Sequence, residues 1–167
     1  MEHFKGPQAT PKNGDPSSST GDGPTLIPRI LSDISLDIRQ GELIAIIGRI
    51  GSGKSSLLNC CIQEMYKNSG DVAIKGSIAY MAQDAFLIND TIKNNILFGN
   101  QLDTELYEEV LDICKLRPDF EILPGKDLTE IGERGINLSG GQKQRISIAR
   151  GVYSCADIFL MDDSLSA

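Results

Sequence analysis

Gly48 to Ser55 reads GRIGSGKS, and the fold class of the chain turns on how this stretch is read. It fits the pattern G-x-x-x-x-G-K-[ST], which carries meaning only when a strand precedes it and a helix follows. Upstream, ELIAIIG ends at Gly48; an apolar run this short and this rich in isoleucine predicts a strand covered on both faces. Downstream, Leu57, Leu58, Cys61, Ile62 and Met65 recur at helical spacing, which predicts an amphipathic helix from about Lys54 to Tyr66. Strand, glycine-rich loop and helix therefore follow one another in the order a phosphate cradle needs.

Each residue type in the loop has a reason to be there. Gly48, Gly51 and Gly53 let the backbone bend so that successive N–H groups point inward at phosphate oxygens, and the helix start adds its positive dipole end. Lys54 supplies a cation for the β and γ phosphates, and the Ser55 hydroxyl is a candidate Mg²⁺ ligand. The candidate ATP-binding set is Gly48, Arg49, Gly51, Ser52, Gly53, Lys54, Ser55 and Ser56. Such a site also needs an acid at the end of a neighbouring buried strand to hold the magnesium's water shell. DIFLMD, Asp157 to Asp162, is predicted to be that strand, with Asp162 as the acid.

Bulk composition narrows the alternatives. At 167 residues the chain predicts one domain. Its 23 Asp and Glu against 16 Lys and Arg, a net charge of −7, argue against a nucleic-acid partner, which would require clustered positive charge. No stretch approaches the roughly 20 apolar residues that cross a bilayer, and MEHFKGPQAT lacks the apolar core of a signal peptide, so the chain reads as cytosolic. Cys60, Cys61, Cys114 and Cys155 form no CxxC pair and read as reduced thiols.

Residues 5 to 24, KGPQATPKNGDPSSSTGDGP, are too poor in large apolar side chains to offset the entropy of ordering, and residues 1–24 read as a disordered tail or linker. Ile34, Leu36 and Ile38 alternate with Ser35 and Asp37 as a half-buried strand would, ending at a turn around Gln40 and Gly41. Short strand-like runs lie at Val72 to Ile74 and Ser77 to Met81. A mainly helical stretch is expected from roughly Asp90 to Leu116, with Leu106, Val110, Leu111 and Ile113 as its apolar stripe. Residues 139 to 154 form a further helix candidate with Ile146, Ala149, Val152 and Tyr153 on one face.

Leu138 opens LSGGQKQRISIAR, just ahead of the DIFLMD strand. Ser139 is an N-cap candidate, and Gly140 and Gly141 keep the helix start open to close approach by an anion. Since the Gly48 loop already serves one nucleotide, this second anion-suited helix start points to a nucleotide held by another copy or another domain.

A phosphate loop, then LSGGQ, then an apolar strand ending in Asp, in that order, resembles the nucleotide-binding domain of an ABC transporter. Gln83 in YMAQD resembles the family's Q-loop glutamine, which the family places on Mg²⁺ and on the route to the membrane domain; the resemblance thus adds Gln83 to the ATP-binding set. GSIAYMAQDAFLINDTIKNNILFG, EILPGKDLTEIGERGINLSGGQKQR and DIFLMDDSLSA are similar to the first cassette of multidrug-resistance-associated proteins, ABC subfamily C. The match covers roughly residues 24 to 167.

The resemblance implies an α/β fold: a P-loop NTPase (RecA-like) core with a mainly parallel sheet, a small N-terminal β part and a helical insertion carrying the signature. Residues 25–167 would form a partial nucleotide-binding domain, with the helical subdomain at approximately 84–145. It implies Mg²⁺ on Ser55, Gln83 and Asp162. It also implies ATP sandwiched between this phosphate loop and a partner cassette's signature, while Leu138, Ser139, Gly140, Gly141 and Gln142 face the partner's nucleotide. Further partners implied are a second nucleotide-binding cassette and the transmembrane domains of the transporter, at the cytosolic face of a membrane. Glu133, Arg134 and Gly135 resemble the segment facing the membrane domain's coupling helices; a solvated charged loop explains Glu133 and Arg134 equally well.

Three departures qualify the resemblance. Fast cassettes carry Glu directly after the magnesium Asp, and here that position is Asp163, one methylene shorter. Placement governs water-orienting and general-base work, so tight Mg-ATP binding with slow turnover is expected. Residues 5 to 47 contain no Phe, Tyr or Trp to stack adenine. The only histidine is His3, whereas the family's switch histidine lies on the strand after Asp162; SLSA also resembles the start of the D-loop, so a C-terminally truncated cassette of poor solubility is expected. The leading expectation is a cassette that couples ATP binding and hydrolysis to export of organic anions or drugs. The alternatives are a regulatory ATP-binding module with little hydrolysis and a soluble ABC ATPase.

Overall fold

Gly53 adopts a left-handed backbone with φ 91°, a conformation open to glycine at little cost, and α1 (Lys54–Cys61) departs from it. We describe a computed structural model covering residues 30–132 and 137–164. It divides into two units, Met1–Ile74 and Lys75–Ala167, each taken by itself below. The tail at 1–24, Glu133, Arg134 and Gly135, and the end of SLSA lie outside the described residues.

In the first unit the turn before the apolar run forms as expected. Gly41 has φ 84°, the Glu42 N–H donates to the Arg39 carbonyl at 3.2 Å, and Glu42 Oε2 accepts from the Arg39 N–H at 3.0 Å. The expected strands do not form. Ile34 to Ile38, Leu43 to Ile47 and Val72 to Ile74 form no strand ladder among the described residues, with Leu43 at 98% and Ile47 at 93% exposure. The small N-terminal β part is thus absent among the described residues. An apolar pattern states which side chains favour burial, but a strand exists only where a neighbour completes its hydrogen-bond ladder, and the described sheet has two strands, both in the other unit. Helix α1 is also shorter than expected, ending at Cys61 and followed by Gln63 at φ 62°, with Leu58 its one buried side chain.

The second unit holds a parallel pair, β1 (Ile78–Met81) and β2 (Ile158–Met161), in register Ile78 with Ile158 through Met81 with Met161. The pair is latched at its start: Asp157 Oδ2 accepts from both the backbone N–H and the hydroxyl of Ser77, each at 2.8 Å. These bonds hold the Asp157 carboxyl below its usual range.

Four helices follow the rules of capping. Thr91 caps α2 (Ile92–Leu97) by accepting from Asn94 N–H, and Asp103 caps α3 (Thr104–Ile113) by accepting from Leu106 N–H. Proline in its first turn suits α4 (Arg117–Ile122). Ser139 and Gln142 form a complete capping box on α5 (Gly140–Tyr153). Where the sequence predicted one mainly helical stretch from about Asp90 to Leu116 there are two helices, α2 and α3, the first ending at Phe98 and the second followed by Lys115, both with positive φ. Ile113 is exposed rather than inward; Tyr107 and Cys114 take the inner face with Val110 and Leu111.

Ile92, Ile96, Val110, Leu116 and Ile146 are all but fully buried in one apolar cluster, each burial contributing about 1.5–3 kcal/mol. Helix α5 lies against β1 so closely that a Cβ on Gly151 would meet Met81 Sδ at 2.8 Å. It covers Ala79 and Met81, while Phe159 and Met161 on β2 remain exposed. The expected buried DIFLMD strand is therefore half-exposed, because α5 lies over β1 and leaves Phe159 and Met161 of β2 open. No helix among the described residues is long and apolar enough to cross a membrane.

Candidate functional site

The Gly48–Ser55 loop closes around its own lysine. Lys54 Nζ donates to the carbonyls of Gly48 and Arg49, both at 3.0 Å, and the Ser52 N–H donates to Arg49 at 3.1 Å. Gly51 at φ 78° and Gly53 at φ 91° allow this curl. At Gly48 space also matters: a Cβ there would sit 2.5 Å from Ser52 Oγ, which would have to turn away. The loop thus brings Gly48, Arg49, Gly51, Ser52, Gly53 and Lys54 together, with Ser55 and Ser56 in the first turn of α1. No side chain caps α1.

In the second unit the acids at the end of β2 diverge. Asp162 is buried; its N–H donates to the Met81 carbonyl at 2.9 Å, continuing the β1 to β2 ladder, and Tyr80 Oη donates to its Oδ2 at 3.5 Å. Asp163 turns left-handed at φ 52° and is exposed, so consecutive carboxylates leave the strand in different directions. The Ser164 hydroxyl returns to Met81 O at 3.3 Å.

Gln83 lies just past β1 with its side chain exposed and its backbone carbonyl accepting from Gln144 Nε2 of α5. Among the described residues no three His, Cys, Asp or Glu side chains assemble into a metal cage. A hydroxyl, an amide oxygen and one carboxylate are nonetheless the hard oxygen donors that suit Mg²⁺, which is held by few protein ligands together with substrate phosphates; Ser55, Gln83 and Asp162 supply those donor types.

At the signature, Ser139 Oγ accepts from Gln142 N–H at 3.3 Å and Gln142 Oε1 accepts from Ser139 N–H at 2.9 Å. A Cβ on Gly140 would meet nothing within 4 Å among the described residues, so packing inside the chain does not explain glycine there. Leu138 is buried in the apolar cluster, where it anchors the segment.

The residues that brace this region carry no sequence pattern. Asp119 of α4 pairs bidentately with Arg145, Nε and Nη2 each at 2.8 Å, and holds that guanidinium above its usual range. Arg150 donates to Phe86 O at 2.8 Å, Asn95 O at 2.8 Å and Asn95 Oδ1 at 2.9 Å, and stacks on Phe98 with 4.3 Å to the ring centre; burial lowers its pKa. Asn95, wholly buried, also accepts from Ile88 N–H and donates to the carbonyls of Ile88 and Thr91. A polar residue on the helical stripe, flanked by Ile92 and Ile96, was the available sign of Asn95.

The ABC transporter family model matches residues 31–166. The chain belongs to the ABC transporter family. Similar proteins include ABC transporter C family member 8 of Dictyostelium discoideum, 56% identical over 83% of this chain and 9% of that protein. ATP-binding cassette sub-family C member 2 of Homo sapiens is 56% identical over 81% of this chain and 9% of its own length. ATP-binding cassette transporter abc2 of Schizosaccharomyces pombe is 50% identical over 96% of the chain and 12% of its length. This chain therefore spans about a tenth of the length of the curated relatives it matches. It carries an ATP-binding domain of the subfamily C type, and with it the P-loop NTPase fold class; the parallel β1–β2 pair with α5 packed on it is consistent with that class.

Proposed function

We propose that this ABC domain binds Mg-ATP through Gly48, Arg49, Gly51, Ser52, Gly53, Lys54, Ser55 and Ser56, and that its ATP cycle drives export of organic anions or drugs by a full-length transporter. The observation that carries the reading is the curled Gly48–Ser55 loop, with left-handed glycines and Lys54 held inside it by two carbonyls. A γ-phosphate offers that ammonium a stronger, charged acceptor than either carbonyl. Bound magnesium would neutralise phosphate charge as the γ-phosphoryl group is transferred. Ser55, Gln83 and Asp162 are its proposed ligands; because they lie in different units, their joint action rests on the family resemblance and on donor chemistry.

Asp163 is the proposed water-orienting group. The attacking water forms a bond to the γ-phosphorus as the bond to the bridging oxygen of ADP breaks, and the carboxylate steers the water's proton. A carboxylate set back by one methylene does this poorly, so the site holds ATP and turns it over slowly. Ser139, Gly140, Gly141 and Gln142 would approach the nucleotide of a partner cassette, a role supported by the unexplained glycine at 140 and by the capped start of α5. The proposed setting is the cytosolic face of a membrane, with the helical subdomain, approximately 84–145, adjoining transmembrane domains, as in the first cassette of a subfamily C transporter.

The test is steady-state phosphate release measured beside nucleotide binding in the assembled transporter. Asp163→Glu is expected to raise turnover about tenfold or more with ATP affinity unchanged. Saturable binding with no turnover, unrescued by Asp163→Glu, would instead establish the regulatory ATP-binding module.

A further inference from the structure

The signature helix α5 is not free at its start. Gln142, which accepts from the Ser139 N–H through Oε1, donates through Nε2 to Asp119 Oδ1 at 3.3 Å. The same carboxylate takes both Arg145 bonds at 2.8 Å. Asp119 is only 9% exposed, and it sits on α4, twenty or more residues before the helix it touches. Its two oxygens are thus shared between an ion pair one turn into α5 and the amide that completes the Ser139 capping box.

Without Asp119 the Gln142 amide could satisfy its Oε1 and Nε2 by turning outward to water, and the box at Ser139 would lose its fixed partner. An N-terminal first turn held in one geometry presents its N–H groups to an anion without first being ordered, and pre-organisation of this kind is what a phosphate-facing helix start needs.

We infer that Asp119 is a positioning residue for the signature: acting through Gln142 and Arg145, it fixes the first turn of α5 in the geometry that receives the partner cassette's nucleotide. The inference rests on the signature reading above and adds to it a residue from a separate helix that touches no nucleotide itself. Its effect falls on closure between cassettes and not on ATP capture by the Gly48–Ser55 loop.

The experiment measures two quantities in the assembled transporter: ATP capture by this cassette, read by photolabelling, and the Mg-ATP concentration for half-maximal cassette closure, read by distance-dependent fluorescence. Loss of a hydrogen bond that holds the box shifts such an equilibrium by about five- to tenfold. Asp119→Ala is expected to raise the closure midpoint by that factor and to leave photolabelling unchanged. The paired variant Asp119→Asn with Arg145→Gln keeps an acceptor for Gln142 Nε2 and a neutral bond between positions 119 and 145; it is expected to close within about twofold of wild type although the ion pair is gone. This second variant also decides the matter if Asp119→Ala does not fold. Ser139→Arg is the control for the underlying reading and is expected to abolish closure.

If Ser139→Arg blocks closure while Asp119→Ala closes like wild type, the positioning role is overturned and the signature reading stands. A paired variant that closes as poorly as Asp119→Ala overturns it too, because the acceptor for Gln142 Nε2 would then be present without restoring closure. Normal closure in Ser139→Arg sinks the signature reading itself.

Discussion

Two neighbouring carboxylates, to which the proposal gives the magnesium and water-orienting roles, meet opposite fates in the fold. Asp162 is drawn in by the ladder bond to Met81 and by Tyr80, while the left-handed turn at Asp163 sends the next acid outward. Their adjacency is plain in the sequence, but their divergence depends on a backbone angle that no residue pattern announces. Ser139 illustrates the same scale at the signature. Replacing it with Ala removes one half of the capping box and is expected to lower stability by about 1 kcal/mol, with circular dichroism showing a reduced midpoint and nucleotide titration showing unchanged affinity. The site residues legible in the sequence were those set by local spacing, Gly48 to Ser56, Ser139 to Gln142 and Asp162. Asp119 and Arg150 were not, because their side chains pair with residues 23 to 64 positions away, and pairing at that separation leaves no periodic trace.

Among the elements, α5 was the most legible. Its cap at Ser139 and its apolar face agree, and it ends at Tyr153, one residue short of the expected 154; agreement across levels is what makes an element predictable. Its seat against β1 also explains Gly151, which the sequence left unremarked. Gly151→Val would push a branched side chain into Met81; overpacking of this sort costs about 1–3 kcal/mol, so a lower unfolding midpoint by thermal denaturation is the expected outcome. The ELIAIIG run failed as a prediction for a complementary reason. Its apolar character is genuine, yet a covered strand is the property of a sheet, and in the unit that holds this run no neighbouring strand is described.

At the level of the whole chain the two units differ in how their apolar residues are housed. Ile34, Leu36, Ile38, Leu43 and Ile47 are exposed, whereas the second unit buries Ile92, Ile96, Val110 and Ile146 in a common cluster. Amide protection follows from local burial and hydrogen bonding. Hydrogen exchange on the 167-residue chain is therefore expected to be fast across 42–48 and slow in α2, α3 and α5; equal protection in both would contradict the description of the first unit. The central claim, that this ABC domain captures Mg-ATP through the loop wrapped around Lys54, is tested most directly by an equilibrium titration with Mg-ATP of the wild-type chain and of Lys54→Ala. Saturable binding that is lost in the variant is the expected result, and equal affinity in the two proteins would contradict it.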